Sequence, residues 1–263
     1  MLRKIKRTHD YEIKLEITND EFLNTPRPSQ QSWMLNRLMK EYSDDLSHLD
    51  EISQQMLIGA ESTVSFDRAQ ARLTDEEIME DWQIPIMKRM AEFVTSSEGD
   101  VLEIGMGRGV ASDFIQSFQP NSHTLIECND SIVENFPKWQ AKHPGRTTRM
   151  VHGMWQDVWQ ELGGYDGILF HTYPLSDEEF VETVVQSSTF AEHFFEPAAK
   201  MLKDGGVLTY LTNENDSLSR AHQRSLLNHF SKVSLSVLEE LNIPENTHDS
   251  CWLPRMIMVE AIK

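Results

Sequence analysis

The stretch Val101-Leu-Glu-Ile-Gly-Met-Gly-Arg-Gly109 constrains this chain more than any other: a short apolar run breaks into three alternating glycines. Val101, Leu102 and Ile104 read as a buried strand. The glycines permit a sharp turn and let a ligand approach bare backbone before a helix opens near Val110. The spacing disfavours a dinucleotide fingerprint, because Val110 stands where G-x-G-x-x-G requires glycine. About twenty residues downstream, Leu125-Ile-Glu-Cys-Asn-Asp130 is a second apolar strand that ends in an acid. Glu127 stands at the distance where a carboxylate meets ribose hydroxyls on the neighbouring parallel strand.

From Val101 onward, strand and helix patterns alternate. The strands are expected at Val101 to Ile104, Thr124 to Glu127, Thr148 to His152, Gly167 to Phe170 and Val207 to Leu211. Helices fit between them at Ala111 to Phe118, Ser131 to His143, Glu178 to Leu202 and Ser217 to Phe230. Short strands separated by helices predict an α/β, Rossmann-like, mostly parallel sheet with helices on both faces. Ser231 to Val237 and Cys251 to Ile262 read as a closing antiparallel hairpin, which brings the sheet to seven strands.

The residues ahead of this domain have no glycine before Gly59 and are rich in helix formers. They predict a helical N-terminal extension over residues 1–73, followed by a main domain over 74–263. Met34, Leu35, Leu38, Met39 and Tyr42, continued by Leu46, Leu49, Ile52, Met56 and Leu57, form an apolar stripe at helical spacing. That stripe fits internal packing, a lid over a pocket or a homodimer seam, and the pattern does not choose among them. Thr74-Asp-Glu-Glu77 reads as a helix start, leading through Ile78, Met79, Trp82, Met87, Met90 and Phe93. Pro85 is expected to kink or restart this helix.

Charge narrows the partners. With 24 basic and 42 acidic residues the chain carries a net charge of -18, so nucleic acid and anionic membranes are repelled. The two cysteines, Cys128 and Cys251, are too few for a disulfide framework and lack metal-ligand spacing, so no metal is expected. The basic start lacks an apolar signal core and no run is long enough to span a membrane, which predicts a cytoplasmic protein.

In an open parallel sheet, ligands lie beyond the carboxyl ends of the strands. The first two such places are the turn at Gly105, Met106, Gly107, Arg108 and Gly109, preceded by Glu103, and the run Glu127, Cys128 and Asn129. At the third, Met154 and Trp155 are placed to flank an adenine ring, with Gln156 or Asp157 meeting its amino group. The fourth, Phe170-His-Thr-Tyr-Pro-Leu175, holds the main catalytic candidates, His171 and Tyr173, where a base or hydrogen-bond partner can orient a nucleophile. The fifth, Thr212-Asn-Glu-Asn215, follows a glycine-bearing helix stop at Lys203 to Gly206 and offers polar groups to an acceptor.

The form E-x-G-x-G, here Glu103-Ile-Gly-Met-Gly107, resembles S-adenosyl-L-methionine-dependent methyltransferases, whose cationic sulfonium requires no phosphate-binding helix start. More specifically, Leu102-Glu-Ile-Gly-Met-Gly, Ile126-Glu-Cys-Asn-Asp130, Tyr165-Asp-Gly-Ile-Leu-Phe-His-Thr-Tyr-Pro-Leu-Ser176 and Gly205-Gly-Val-Leu-Thr-Tyr210 resemble guanidinoacetate N-methyltransferase. The similarity runs from about Ile78 to the C-terminus. It implies a class I methyltransferase fold, with S-adenosyl-L-methionine as cofactor and S-adenosyl-L-homocysteine as product. It also implies cofactor contacts from Met79, Met87, Gly107, Glu127, Asn129, Trp155 and Gln156, with Asn213 and Glu214 near the acceptor.

Two departures qualify the resemblance. The family holds its guanidinium substrate with two carboxylates, and the matching positions here are Gln83 and His171. A buried guanidinium facing an amide and an imidazole loses two charge-assisted partners, each contributing about 1.5 to 3 kcal/mol. This predicts a small-molecule acceptor other than guanidinoacetate. Gln83 and His171 as donors suit a carboxylate, to be O-methylated, with Arg108 or Arg255 as added charge. The competing expectations are N-methylation of an amine, amide or guanidine with His171 as base, a cofactor-binding scaffold without turnover, and, more remotely, a nicotinamide dehydrogenase.

Overall fold

The computed structural model describes residues 78–175, 187–212, 217–239, 241–243 and 255–263, with Glu179, Thr183, Glu214 and the backbone of residues 2–6 and 12–16. Strands β1 (Leu2–Lys6) and β2 (Glu12–Glu16) pair antiparallel, with Ile5 opposite Ile13. This corrects the helical expectation for the start of the extension: Glu12-Ile-Lys-Leu-Glu16 alternates charged and apolar residues, a period of two that suits a strand. The apolar stripe from Met34 to Leu57 and the start at Thr74 lie outside the described residues.

Seven further strands form one sheet: β3 (Asp100–Ile104), β4 (Ser122–Glu127), β5 (Thr148–His152), β6 (Tyr165–Phe170), β7 (Leu202–Thr212), β8 (Lys232–Leu238) and β9 (Met256–Ile262). Their order is β5-β4-β3-β6-β7-β9-β8, parallel from β5 to β7 and antiparallel at both pairings of β9. The order reverses between β3 and β6, so the carboxyl ends of these strands open a crevice.

Alternation along the central strands sets the two cores. Leu102, Ile104, Ile168 and Phe170 pack with Phe194, Phe195, Ala198 and Met201 on one face. Val101 and Leu169 pack on the other face with Ile86, Met87, Met90, Ala91 and Val94. The latter residues line one side of helix α1 (Ile84–Val94), whose first turn carries Pro85, where the missing N–H has no partner to lose. A 3₁₀ turn at Asp81–Gln83 precedes it, so the expected restart at Pro85 is present. Gly167 is the contact point of α1 with the sheet: a Cβ there would lie 2.0 Å from the Val94 carbonyl oxygen.

Helix α2 (Val110–Ser117) follows the glycine turn. Helix α3 (Asp130–Gln140) is capped by Asn129, whose side chain accepts the Ser131 amide at 3.0 Å. Two shorter helices, α4 (Trp155–Val158) and α5 (Phe195–Met201), and then α6 (Arg220–Leu227) complete the described set. Within the expected helix from Glu178 to Leu202, the described residues Glu179 and Thr183 are helical, 187–189 are not, helix resumes at Phe190, and Leu202 already belongs to β7. The glycine-bearing segment also differs from a plain helix stop. Tyr165 pairs with Leu202 and Gly167 with Val207, so Lys203 to Gly206 bulge from the ladder within β7.

Candidate functional site

A cleft of about 720 Å³ opens at the carboxyl ends of β3, β4 and β6. It is lined by Glu103, Gly105 to Arg108, Glu127 to Asn129, His171 to Tyr173 and, from the strap ahead of α1, Ile78 and Met79. A second hollow of about 330 Å³ shares Gly105, Glu127, Cys128, Thr172, Tyr173 and Leu175 with it and extends to Met154, Trp155, Gln156 and Glu179. Most of the residues singled out from the sequence thus converge on one place. Thr172, Leu175, Val110, Ala111 and Ile132 also line it without having been singled out; Thr172 and Leu175 sit inside the His-Thr-Tyr-Pro string that pointed there.

The glycine turn has the shape its sequence requires. Gly105, Gly107 and Gly109 have φ of 86°, 51° and 79°. A Cβ on Gly105 would lie 2.5 Å from the His171 carbonyl oxygen. The turn is tied to the tip of β4: Glu127 Oε2 accepts the amides of Met106 and Gly107 at 3.0 and 3.2 Å, and Oε1 accepts those of Cys128 and Asn129 at 2.8 and 2.9 Å. A buried carboxylate with four backbone donors holds both strand ends in register.

Arg108, partly exposed, is engaged. Its Nη1 donates to the Met79 carbonyl at 2.7 Å and to Asp81 Oδ1 at 2.9 Å, so it fastens the strap over the cleft. Arg255 lies elsewhere, 3.7 Å from Glu239 on the exposed side. Behind the turn, Glu103 is fully buried; Ser112 Oγ donates to its Oε2 at 2.7 Å, while Oε1 has no hydrogen-bond partner. In the second hollow Gln156 Nε2 donates to Glu179 Oε1 at 2.9 Å, and Gln156 Oε1 is likewise buried without a partner. Trp155 packs edge-on against Phe194 and Phe170, so it belongs to the core and to the wall of the hollow at once.

His171 follows β6, its amide bonded to the Ile104 carbonyl at 3.2 Å. Burial pushes its imidazole down to about 4, so the ring is neutral at physiological pH. Burial with the Glu127 charge pushes the Cys128 thiol up to about 11, so it lines the cleft and the hollow as a neutral thiol.

Two expected acceptor residues are placed differently. Gln83 is buried in the 3₁₀ turn, 5% exposed, and lines neither cavity, whereas Ile78 and Met79 ahead of the turn line the cleft. Glu214 also lines neither. Its Oε2 binds His222 Nδ1 at 2.7 Å and the Ser219 amide at 3.0 Å, and His222 Nε2 lies 2.6 Å from Tyr210 Oη. Burial alone would raise the Glu214 carboxyl, but the bonds from His222 and Ser219 outweigh it and hold it low. Asn213 lies outside the described residues. No group of His, Cys, Asp and Glu suited to a metal ion occurs among the described residues.

The profile of the guanidinoacetate N-methyltransferase family matches residues 50–247. The chain belongs to this family. Among curated relatives it is 31% identical over 147 residues to protein arginine N-methyltransferase 2 of Aspergillus oryzae, covering 53% of this chain and 33% of that protein. It is 28% identical over 148 residues to the protein of the same name from Yarrowia lipolytica, covering 52% and 28%. The chain thus spans about a third of the length of these relatives. Among solved structures, M. jannaschii TYW2 in complex with AdoMet superposes with a TM-score of 0.50 at 16% identity, covering 70% of this chain and 77% of that one, a likeness of fold. This member of the guanidinoacetate N-methyltransferase family is an S-adenosyl-L-methionine-dependent methyltransferase with a Rossmann-like, seven-stranded sheet. No helix among the described residues is long and apolar enough to cross a membrane.

Proposed function

We propose that this enzyme methylates a nitrogen of an acceptor of the guanidino class, small or carried on a peptide, and that the cleft and hollow together hold the cofactor. The residues fit that group. Glycines with positive φ leave the turn bare for close approach, the unpartnered Glu103 Oε1 suits the cofactor's ammonium, and the unpartnered Gln156 Oε1 suits the adenine amino group. Glu127, with its amides already fixed, would meet the ribose hydroxyls, and Met79, Met87, Met106 and Asn129 would close around the nucleoside and methionine parts. When bound, S-adenosyl-L-methionine supplies an electrophilic methyl on a sulfonium.

His171 carries the choice of acceptor. A neutral imidazole accepts a hydrogen bond from an acceptor N–H and, unlike an imidazolium, does not repel a cationic guanidine. In the transfer the acceptor nitrogen would bond to the methyl carbon as the sulfonium S–C bond breaks and S-adenosyl-L-homocysteine leaves, and the N–H proton would pass by the His171 imidazole or Tyr173 to solvent. O-methylation of a carboxylate, expected from Gln83 and His171 as paired donors, has less support. Gln83 lines neither cavity, His171 is uncharged, and Arg108, the one cation among the described lining residues, already binds Met79 and Asp81. An acceptor carboxylate would lack a charged partner there. The names of the curated relatives point the same way. The test is transfer of labelled methyl to a panel of guanidines, amines and carboxylic acids. Transfer to guanidines, much reduced in His171→Phe, is expected; transfer confined to carboxylic acids would refute the proposal.

A further inference from the structure

Alternation along β3 puts Glu103 on the face of Val101, which packs against α1 and α2. An apolar residue would suit that place, yet a carboxylate lies there fully buried. Two groups hold one of its oxygens. Ser112 Oγ, from α2, donates to Oε2 at 2.7 Å, and His123 Nε2, from β4, lies 2.9 Å from the same atom. His123 is 1% exposed, and Gln116 Nε2 lies 3.0 Å from its Nδ1, which leaves Nε2 as the ring nitrogen beside Glu103. The Nε2 contact is short but poorly aligned, an electrostatic neighbour more than a directed bond. The edge of Trp139 fixes the ring from another side, at 6.1 Å between centroids. All this acts on Oε2. Oε1 stays unpartnered, on a residue that lines the cleft.

We infer that His123, backed by Gln116 and assisted by Ser112, is a positioning residue that fixes Glu103 so that Oε1 meets the ammonium of the cofactor's methionine part. The inference rests on the cofactor placement proposed above. A buried carboxylate oxygen without a partner is unfavourable until a cation reaches it, so the arrangement favours ligands that bring an amino group. A ligand with the nucleoside and thioether but no amino-acid carbon gains nothing from it. His123 therefore acts on one end of the cofactor from a position that touches none of it.

The experiment is calorimetry on the intact chain with S-adenosylhomocysteine and with 5′-methylthioadenosine, which lacks the amino-acid part. His123→Leu is expected to weaken S-adenosylhomocysteine about tenfold and to change 5′-methylthioadenosine by less than about twofold, with His123→Gln, which keeps an N–H, recovering most of the loss. Ser112→Ala removes only a hydroxyl, and it should shift selectivity in the same direction if the leucine variant does not fold. Equal weakening of both ligands, or unchanged discrimination in folded variants, would overturn the role of His123. Wild-type protein that binds both ligands equally well would instead overturn the placement of the ammonium at Glu103, and the inference with it.

Discussion

Glu127 Oε2 accepts the amide of Met106 at 3.0 Å, which ties the tip of β4 to the turn leaving β3. The acid expected to serve ribose therefore also shapes the glycine loop. Glu127→Gln should be damaging despite its equal size, because its amide NH₂ would face backbone N–H groups where an oxygen now accepts. We expect stability to fall by about 1 to 3 kcal/mol in thermal denaturation, and affinity for S-adenosylhomocysteine to fall at least about tenfold by calorimetry.

Gly105→Ala should be the most harmful single methyl in the turn. The backbone has φ of 86° and the new Cβ would lie 2.5 Å from the His171 carbonyl oxygen, so β3 and β6 would have to part. A loss of about 2 to 4 kcal/mol is expected. Gly145→Ala is the control. It has φ of 78° with nothing within 4 Å, and should lose only about 1 kcal/mol of backbone strain. Urea denaturation of both variants checks the difference.

Arg108 fastens the strap, so removing it should loosen the closed cleft more than the fold. Asp81 is 79% exposed, and its ion pair contributes little; the bond to the Met79 carbonyl matters more. Arg108→Met should speed cofactor release about three- to tenfold in stopped-flow displacement, and Asp81→Asn less than about twofold.

The His171 imidazole is held down to about 4 in the folded protein against an ordinary value of 6.5. Between those values the unfolded chain takes up a proton that the folded protein does not, so stability falls as pH drops from about 6.5 to 4. His171→Gln removes that uptake. Its stability should fall less over the same window, by about 2 to 3 kcal/mol relative to wild type, as read from urea midpoints at each pH.

The central strands and both glycine-turn partners were legible because buried parallel strands read as apolar runs and the positive φ values can be met cheaply only by glycine. Strand ends then located Glu127, His171 and Gln156 without any knowledge of side-chain contacts. Gln83 lines neither cavity, and a sequence match does not show which side of the short turn before Pro85 meets the cleft. Glu214 was drawn away by His222, an interaction between residues eight apart that no spacing rule flags. The buried carboxylate at Glu103 was visible as a motif residue, but its partners on α2 and β4 depended on the packing of three elements. The paired strands Leu2–Lys6 and Glu12–Glu16 are legible only in the alternation of Glu12-Ile-Lys-Leu-Glu16, which the shortage of glycine there masks.

The most direct test of the account is the bond formed by the transferred methyl. Product made with methyl-¹³C cofactor should show the label on nitrogen by heteronuclear NMR and should keep it through mild alkaline treatment. A label on oxygen, released as methanol under the same treatment, would contradict the account.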